Sequence, residues 1–208
     1  MIRVGIVDDH AVVRAGLNEF LSAQPDIHVV GEAGNGREAL VLARRERVDV
    51  LLMDLCMPGQ NGMEALGRIK ARAPGLRVLI LSGYPESLYG ARLIRQGADG
   101  FLNKNCEPDD IVAAVRTVAA GKCHASVDLQ RRLSQPESEL SPLHSQFSDR
   151  ELEIFLKLAR GLGNSDVART LCLSPRTVTT CRMRILEKMG MASTQELTRY
   201  ALQNGLIE

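Results

Sequence analysis

The sequence contains no tryptophan, and aromatic residues make up only 3% of its 208 residues. Single-stranded bases usually stack on aromatic side chains, so we do not expect a single-strand binding protein. No apolar run approaches the roughly 20 residues that a membrane-spanning helix needs. The apolar stretch at the start of the chain is too short for the hydrophobic region of an export signal, and it ends in two acidic residues, Asp8 and Asp9. We therefore expect a cytoplasmic protein with no membrane contact.

Cysteine and net charge are also low. The five cysteines are odd in number and contain no Cys-x-x-Cys pair, so neither a zinc site nor a redox motif is indicated. The 26 basic and 25 acidic residues nearly balance, which excludes a uniformly basic nucleic-acid coat. Positive charge is instead concentrated in residues 174–190, where four basic residues accompany one acidic residue. This is a compact electrostatic footprint for nucleic acid.

Short β-branched runs alternate with helical segments over the first 122 residues. Because strands interleaved with helices give parallel sheets, we predict an α/β, doubly wound, five-stranded parallel sheet. The strands are predicted at 3–7, 28–33, 48–53, 78–82 and 100–102, and the helices near 11–23, 36–46, 62–73, 87–97 and 108–121.

The remaining sequence predicts a linker and a small all-α domain. Residues 134–142 are rich in Ser, Pro and charge and show no period, which is typical of a linker. A short helix over 127–133 precedes this stretch, and helices only are predicted after Ser148. We therefore predict a first domain at 1–122, a linker at 123–146 and a helical domain at 147–208.

Polar residues follow the predicted strands of the first domain. Ligands of open α/β sheets bind beyond the carboxyl ends of the strands, so these side chains are expected at one edge. Three carboxylates there need a counter-charge, which Mg²⁺ supplies, and a carboxylate can also act as a nucleophile toward phosphorus. A hydroxyl and an ammonium group would then stabilise the phosphoryl oxygens. The residues are Asp8, Asp9, Asp54, Ser82 and Lys104.

Two helices joined by a short turn indicate a helix-turn-helix at 165–189. At 100° per residue, Val178, Cys181, Ile185 and Met189 share one face and are expected to pack inward. In such motifs the second helix enters the major groove, and basic residues at its margins contact phosphates. We predict DNA contacts from Asn164, Ser165, Arg176, Thr177, Thr179, Thr180, Met183, Arg184 and Lys188.

Four separated motifs in the first domain resemble receiver domains of two-component response regulators. They are Asp8-Asp9-His10, Asp54 to Gly62, Leu81-Ser82-Gly83 and Gly97 to Lys104. The resemblance implies a flavodoxin-like fold, Asp54 as phospho-acceptor for a sensor histidine kinase, and Lys104 paired with the phosphoryl group. It also implies Mg²⁺ held by Asp9, Asp54 and the backbone carbonyl of Cys56, with Asp8 acting through water. Ser82 and Phe101 would be the hydroxyl and aromatic switch residues, with Phe101 turning inward on phosphorylation.

The second domain resembles LuxR-type DNA-binding domains. The resemblance rests on residues 147–153, 159–168 and 173–178, and the whole chain resembles the NarL/FixJ class. Residues 177–184 are most similar to the subgroup typified by GacA and BvgA. The resemblance implies a transcription regulator, not an enzyme, in which phosphorylation of Asp54 favours a homodimer on double-stranded DNA.

Three other functions were weighed against this one. A haloacid-dehalogenase-like phosphatase needs Asp-x-Asp after the first strand, and Asp8-Asp9-His10 does not match. An FMN-binding flavodoxin is disfavoured because an acidic rim repels phosphate. A receiver that dimerises without phosphorylation is disfavoured by the presence of Asp54, Lys104 and Ser82.

Overall fold

The computed structural model describes residues 1–45, 47–57, 60–134 and 143–207. The chain divides into two compact units, Met1–Ser134 and Gln135–Glu208. Among the helices in the described ranges, none is both long and apolar enough to cross a membrane.

The first unit is a parallel sheet with helices between its strands. The strands are β1 (Ile2–Val7), β2 (Ile27–Ala33), β3 (Val50–Asp54), the short hairpin strands β4 (Cys56–Met57) and β5 (Gln60–Asn61), β6 (Arg77–Ser82) and β7 (Gly100–Asn103). The helices are α1 (Ala11–Ser22), α2 (Gly36–Arg45), α3 (Gly62–Arg72), α4 (Glu86–Arg95) and α5 (Pro108–Ala119). The main sheet has the order β2-β1-β3-β6-β7 and every pair is parallel. The predicted fold class is confirmed.

Both faces of this sheet are buried, which explains the near-continuous apolar character of its central strands. One face contributes Val4, Ile6, Leu52, Leu79 and Leu81 to a core completed by α1 and α5. Alternate residues such as Leu51 and Met53 point to the opposite face and are also buried.

The carboxyl ends of four strands meet at one edge of the sheet. β1 is followed by Asp8 and Asp9, β3 ends at Asp54, β6 ends at Ser82, and Lys104 follows β7. The parallel register, in which Asp54 aligns with Leu81 and Ser82 with Asn103, therefore delivers the predicted residues to a common rim.

Residues 123–134 differ from the prediction that the linker begins at 123. His124 forms a parallel bridge with Gly100, and the helix α6 (Val127–Ser134) belongs to the first unit. The reason is one apolar side chain, Leu129, which is only 2% exposed although its neighbours are polar. The rest of the predicted Ser- and Pro-rich linker, residues 135–142, lies outside the described residues.

The second unit is helical, as predicted. It contains a short 3₁₀ turn at Leu143–Gln146, then α7 (Asp149–Ala159), α8 (Asn164–Thr170), α9 (Pro175–Met189) and α10 (Thr194–Gln203). The predicted capping box is present, because Ser148 and Glu151 each bond the other's backbone N–H. Phe147 and Phe155 pack with ring centroids 5.3 Å apart in the centre of the unit.

Local sequence signals determine the ends of α9. The Ser174 hydroxyl accepts the backbone N–H of Thr177, and Pro175 occupies the first helical position. Gly190 ends the helix at φ +63°, a left-handed conformation that glycine adopts without steric cost. The turn between α8 and α9 is tight enough to hold Cys172 at φ +52°. These features form the predicted helix-turn-helix.

An ion-pair cluster closes the edge of the sheet opposite the rim. Asp99 accepts hydrogen bonds from Lys70 Nζ at 2.7 Å, Arg77 Nη1 at 2.8 Å and the backbone N–H of Val78 at 2.9 Å. Burial alone would raise the pKa of Asp99, but these hydrogen bonds outweigh it and the pKa is lowered. The ionised form of Asp99 therefore stabilises the fold.

We predict that Asp99→Asn lowers the free energy of unfolding by about 1–3 kcal/mol at neutral pH, because two cations lose their shared acceptor. Since the folded pKa lies below the unfolded one, the effect is present above about pH 4 and disappears as the pH falls further. Urea denaturation at several pH values measures this. Glu19→Gln, an exposed charge change, is the control, and an equal loss in both variants would contradict the prediction.

Candidate functional site

The rim brings together the three carboxylates that the sequence predicts. Asp8 and Asp54 are buried at the ends of β1 and β3, and the side chain of Asp9 is 20% exposed beside them. One ligand atom from each, together with one from His10, lies within 4.8 Å of the others. Such close carboxylates repel one another unless positive charge lies between them.

Lys104 supplies part of that charge. Its Nζ donates to Asp8 Oδ2 at 2.7 Å and to Asp54 Oδ2 at 2.8 Å. Burial alone would lower the pKa of Lys104, but the hydrogen bonds and charges of the two carboxylates outweigh it and the pKa is raised. The ammonium group therefore stays charged. It bridges the ends of β1 and β3, and β3 contains the candidate phospho-acceptor Asp54.

Ser82 and Phe101 are both in the interior. Ser82 is fully buried, and its Oγ accepts the backbone N–H of Tyr84 at 3.1 Å. Phe101 is only 2% exposed. The ring is therefore already inside the unit in this structure, and its inward turn on phosphorylation stays a prediction.

The donor set of the rim fits a hard divalent cation. Carboxylate oxygens are the ligands that Mg²⁺ prefers, and Asp9 Oδ1 is buried and accepts no hydrogen bond from the described residues. The residues Asp9 and Asp54 would hold the ion directly. Cys56 lies in β4, and its backbone carbonyl as a third ligand stays a prediction.

His10 was not among the predicted site residues. Its Nδ1 lies 3.2 Å from Asp8 Oδ1 and 3.0 Å from Asp9 Oδ1, and its backbone N–H donates to Asp8 Oδ1 at 2.8 Å. Adjacency to the two aspartates in the sequence was the only available signal. The side chain is 65% exposed, so it covers the acidic cluster from the solvent side.

The second candidate site is the exposed face of the helix-turn-helix. Val178, Ile185 and Met189 are buried, as the helical wheel predicts, and the opposite face of α9 is open to solvent. Met183 is 67% exposed on that face, which is unusual for a large apolar side chain. The exposed residues predicted to contact DNA are Ser165, Arg176, Thr177, Thr179, Thr180, Met183, Arg184 and Lys188.

Asn164 links the two helices of this face. Its Nδ2 donates to Thr179 Oγ1 at 3.1 Å, and Thr179 Oγ1 donates to the carbonyl of Pro175 at 2.9 Å. Thr180 Oγ1 likewise donates to the carbonyl of Arg176 at 3.1 Å. The start of α8 and the first turns of α9 therefore form one connected polar surface.

Lys188, which was also predicted to contact DNA, has partners within the second unit. Its Nζ donates to Glu151 Oε2 at 2.7 Å and to the carbonyl of Gln146 at 3.3 Å. Burial alone would raise the pKa of Glu151, but the hydrogen bond from Lys188 and those of the capping box lower it overall. Lys188 thus connects α9 to α7, and its charge is already paired.

Two protein families match separate parts of the chain. The family "Response regulator receiver domain" matches residues 4–116, and "Bacterial regulatory proteins, luxR family" matches residues 145–201. The first covers the sheet with its acidic rim, and the second covers the helix-turn-helix.

Relatives match along the whole length. The chain is 36% identical to Response regulator UvrY of Escherichia coli over 99% of this chain and 96% of that protein. It is 36% identical to Response regulator GacA of Pseudomonas aeruginosa over 100% and 99%. The resemblance to GacA is therefore confirmed.

A solved structure has the same fold. RcsB of Salmonella enterica serovar Typhimurium, bound to the promoter rprA in the presence of BeF3−, matches with a TM-score of 0.67 and 23% identity over 96% of this chain and 98% of that chain. At that identity the match shows the fold alone. The family matches and the full-length relatives together show that the chain belongs to the two-component response regulators of the NarL/FixJ class, with a receiver domain followed by a LuxR-type DNA-binding domain.

Proposed function

We propose that Asp54 receives a phosphoryl group from a sensor histidine kinase and that this switches DNA binding. The observation that supports this most directly is the buried Asp54 carboxylate, 2.8 Å from the Lys104 ammonium and beside two further aspartates. A strand end is the place where a ligand can reach it. An Asp54 oxygen attacks phosphorus, the bond from phosphorus to the kinase histidine nitrogen breaks, and an aspartyl-phosphate forms.

The residues around Asp54 stabilise the transferred group. Phosphorylation adds about −1.5 to −2 charge, and Lys104, already hydrogen-bonded to Asp54, remains within reach of a phosphoryl oxygen. The Ser82 hydroxyl donates to a second oxygen. Asp9, Asp54 and the carbonyl of Cys56 would hold Mg²⁺, with Asp8 nearby. When bound, Mg²⁺ would neutralise charge on the phosphoryl oxygens.

We propose that α9 reads double-stranded DNA in the major groove. Thr179, Thr180 and Met183 lie on its exposed face and face the base edges, while Arg176 and Arg184 contact phosphates. Asn164, Ser165 and Thr177 contribute at the start of α8 and α9. The charge pairing of Lys188 with Glu151 removes it from this set.

We also propose that the phosphorylated form is a homodimer. Two DNA-binding units on a two-fold site bind through effective concentration, so association of the receivers tightens binding without any new base contact. Because kinase and DNA must both be accessible, we propose that the protein is cytoplasmic and that it regulates transcription rather than acting as an enzyme.

Asp54→Asn is predicted to abolish phosphorylation and keep the fold, because the amide has nearly the same shape but is a poor nucleophile. With Mg²⁺ and acetyl phosphate, intact-mass analysis should show one base-labile phosphate on the natural chain and none on the variant. Chelation of Mg²⁺ should also prevent the adduct. Asp109→Asn, an exposed change on α5, is the control, and stoichiometric phosphate on Asp54→Asn would show that the site is wrong.

Arg184→Ala is predicted to weaken binding to a duplex selected from a random pool. It should also reduce the salt slope, the slope of the logarithm of the binding constant against the logarithm of the salt concentration, by about one. Lys188→Ala should instead lower the free energy of unfolding and leave the salt slope unchanged, because its charge is paired with Glu151. Arg199→Ala, an exposed cation on α10, should change neither quantity. An equal loss of slope in all three variants would contradict the proposed face.

A further inference from the structure

The helix α6 is attached to the start of α4 by specific polar contacts. Glu86, in the first turn of α4, accepts hydrogen bonds from the backbone N–H of Ser126 at 3.2 Å and from the Ser126 hydroxyl. Arg132 Nη1 donates to the carbonyl of Ser87 at 2.9 Å. The same Ser126 hydroxyl accepts the backbone N–H of Leu129, so the cap of α6 is held by α4.

A glycine makes the apolar part of this contact possible. A Cβ atom added at Gly90 would lie 2.9 Å and 3.2 Å from the two methyl groups of Leu129, closer than packed carbons normally approach. Glycine inside a helix costs about 0.5–1 kcal/mol relative to alanine, so its presence in α4 needs a compensating contact. Leu129, nearly fully buried on Gly90, supplies that contact.

Glu86, the attachment point of α6, is four residues after Ser82, whose hydroxyl is proposed to contact the phosphoryl group. Ser82 Oγ accepts the backbone N–H of Tyr84 at 3.1 Å, and Asn103 Nδ2 donates to the carbonyl of Tyr84 at 3.2 Å. Pro85 is the cap residue of α4 and Glu86 is its first residue. Ser82 is therefore connected to the turn that holds α6 by a short loop whose backbone is hydrogen-bonded at Tyr84.

We propose that α6 is a clamp that phosphorylation of Asp54 releases. When the Ser82 hydroxyl moves to the phosphoryl oxygen, the N–H of Tyr84 loses its acceptor and the loop before α4 rearranges. The first turn of α4 then shifts, Glu86 and Ser87 lose their partners, and Leu129 leaves Gly90. This inference rests on the proposed function, since it needs Asp54 to be phosphorylated.

Release of α6 changes the connection to the DNA-binding unit. With α6 attached, only the eight residues 135–142 separate its end from residue 143. With α6 detached, the residues of the helix are added to that tether. A longer tether gives each DNA-binding unit of a dimer more reach, and the half-sites of a two-fold operator lie about 34 Å apart. Release of the clamp would thus help both units of a phosphorylated dimer to reach their half-sites.

Hydrogen exchange of the full-length chain tests the clamp. With Mg²⁺ and acetyl phosphate, amides of residues 127–134 should exchange at least tenfold faster, and intact mass of the same sample reports phosphorylation. Unchanged exchange in a phosphorylated sample would overturn the clamp and leave the proposed function standing. A sample in which Asp54 accepts no phosphate would overturn the proposed function, and the clamp with it.

Two variants disrupt the contact between Leu129 and Gly90, one on each helix, and are measured without phosphodonor. Leu129→Ala removes the side chain that packs on α4, and Gly90→Ala adds the Cβ that collides with it. Both should speed exchange of 127–134 by about tenfold while the sheet stays protected, and phosphorylation should then add little further. Val127→Ala, 71% exposed on the same helix, is the matched control. Unchanged exchange in both variants, or a further tenfold increase on phosphorylation, would overturn the clamp.

Discussion

The bridge from Lys104 to the two buried aspartates is the interaction on which the rest of the receiver depends. Asp8 and Asp54 lie at the ends of neighbouring strands, and loss of Lys104 would leave both buried carboxylates without this cation. Parallel strands alone bring the carboxylates together, whereas Lys104 reaches them from the end of β7. One side chain therefore connects three strands of the sheet and holds negative charge at the rim.

This arrangement also suggests how a phosphoryl group on Asp54 could change the packing of α4. A phosphoryl group on Asp54 is a new partner for Lys104 and Ser82, and both are already engaged elsewhere. The Lys104 ammonium has a third N–H and can keep Asp8, so the contact that we expect to change is the one from the backbone N–H of Tyr84 to Ser82. Because Tyr84 immediately precedes the cap of α4, the packing element with two states is the loop and first turn of that helix.

The sequence was sufficient where periodicity and strand order decide the structure. Alternation of strands and helices predicted the parallel sheet, and the residues after each strand then predicted the rim. Ser174, Pro175 and Gly190 likewise predicted the limits of α9. These features depend on neighbours in the chain or on the general rule for open sheets.

Contacts between distant segments were not predictable in this way. Lys188 lies 37 residues from Glu151. In the sequence nothing distinguishes it from the other basic residues of α9. Leu129 is the apolar residue of α6 that is buried, and its contact with Gly90 of α4 could not be read from the sequence. The resemblance identified Phe101 as a switch residue. It could not predict whether the ring is buried, because that depends on the packing around it.

The most direct test of the account is the affinity of the full-length chain for its selected duplex, measured at one salt concentration with and without acetyl phosphate and Mg²⁺. The account predicts binding at least tenfold tighter when intact mass shows Asp54 phosphorylated, and no difference for Asp54→Asn. Equal affinity of the phosphorylated and unphosphorylated chains would contradict it.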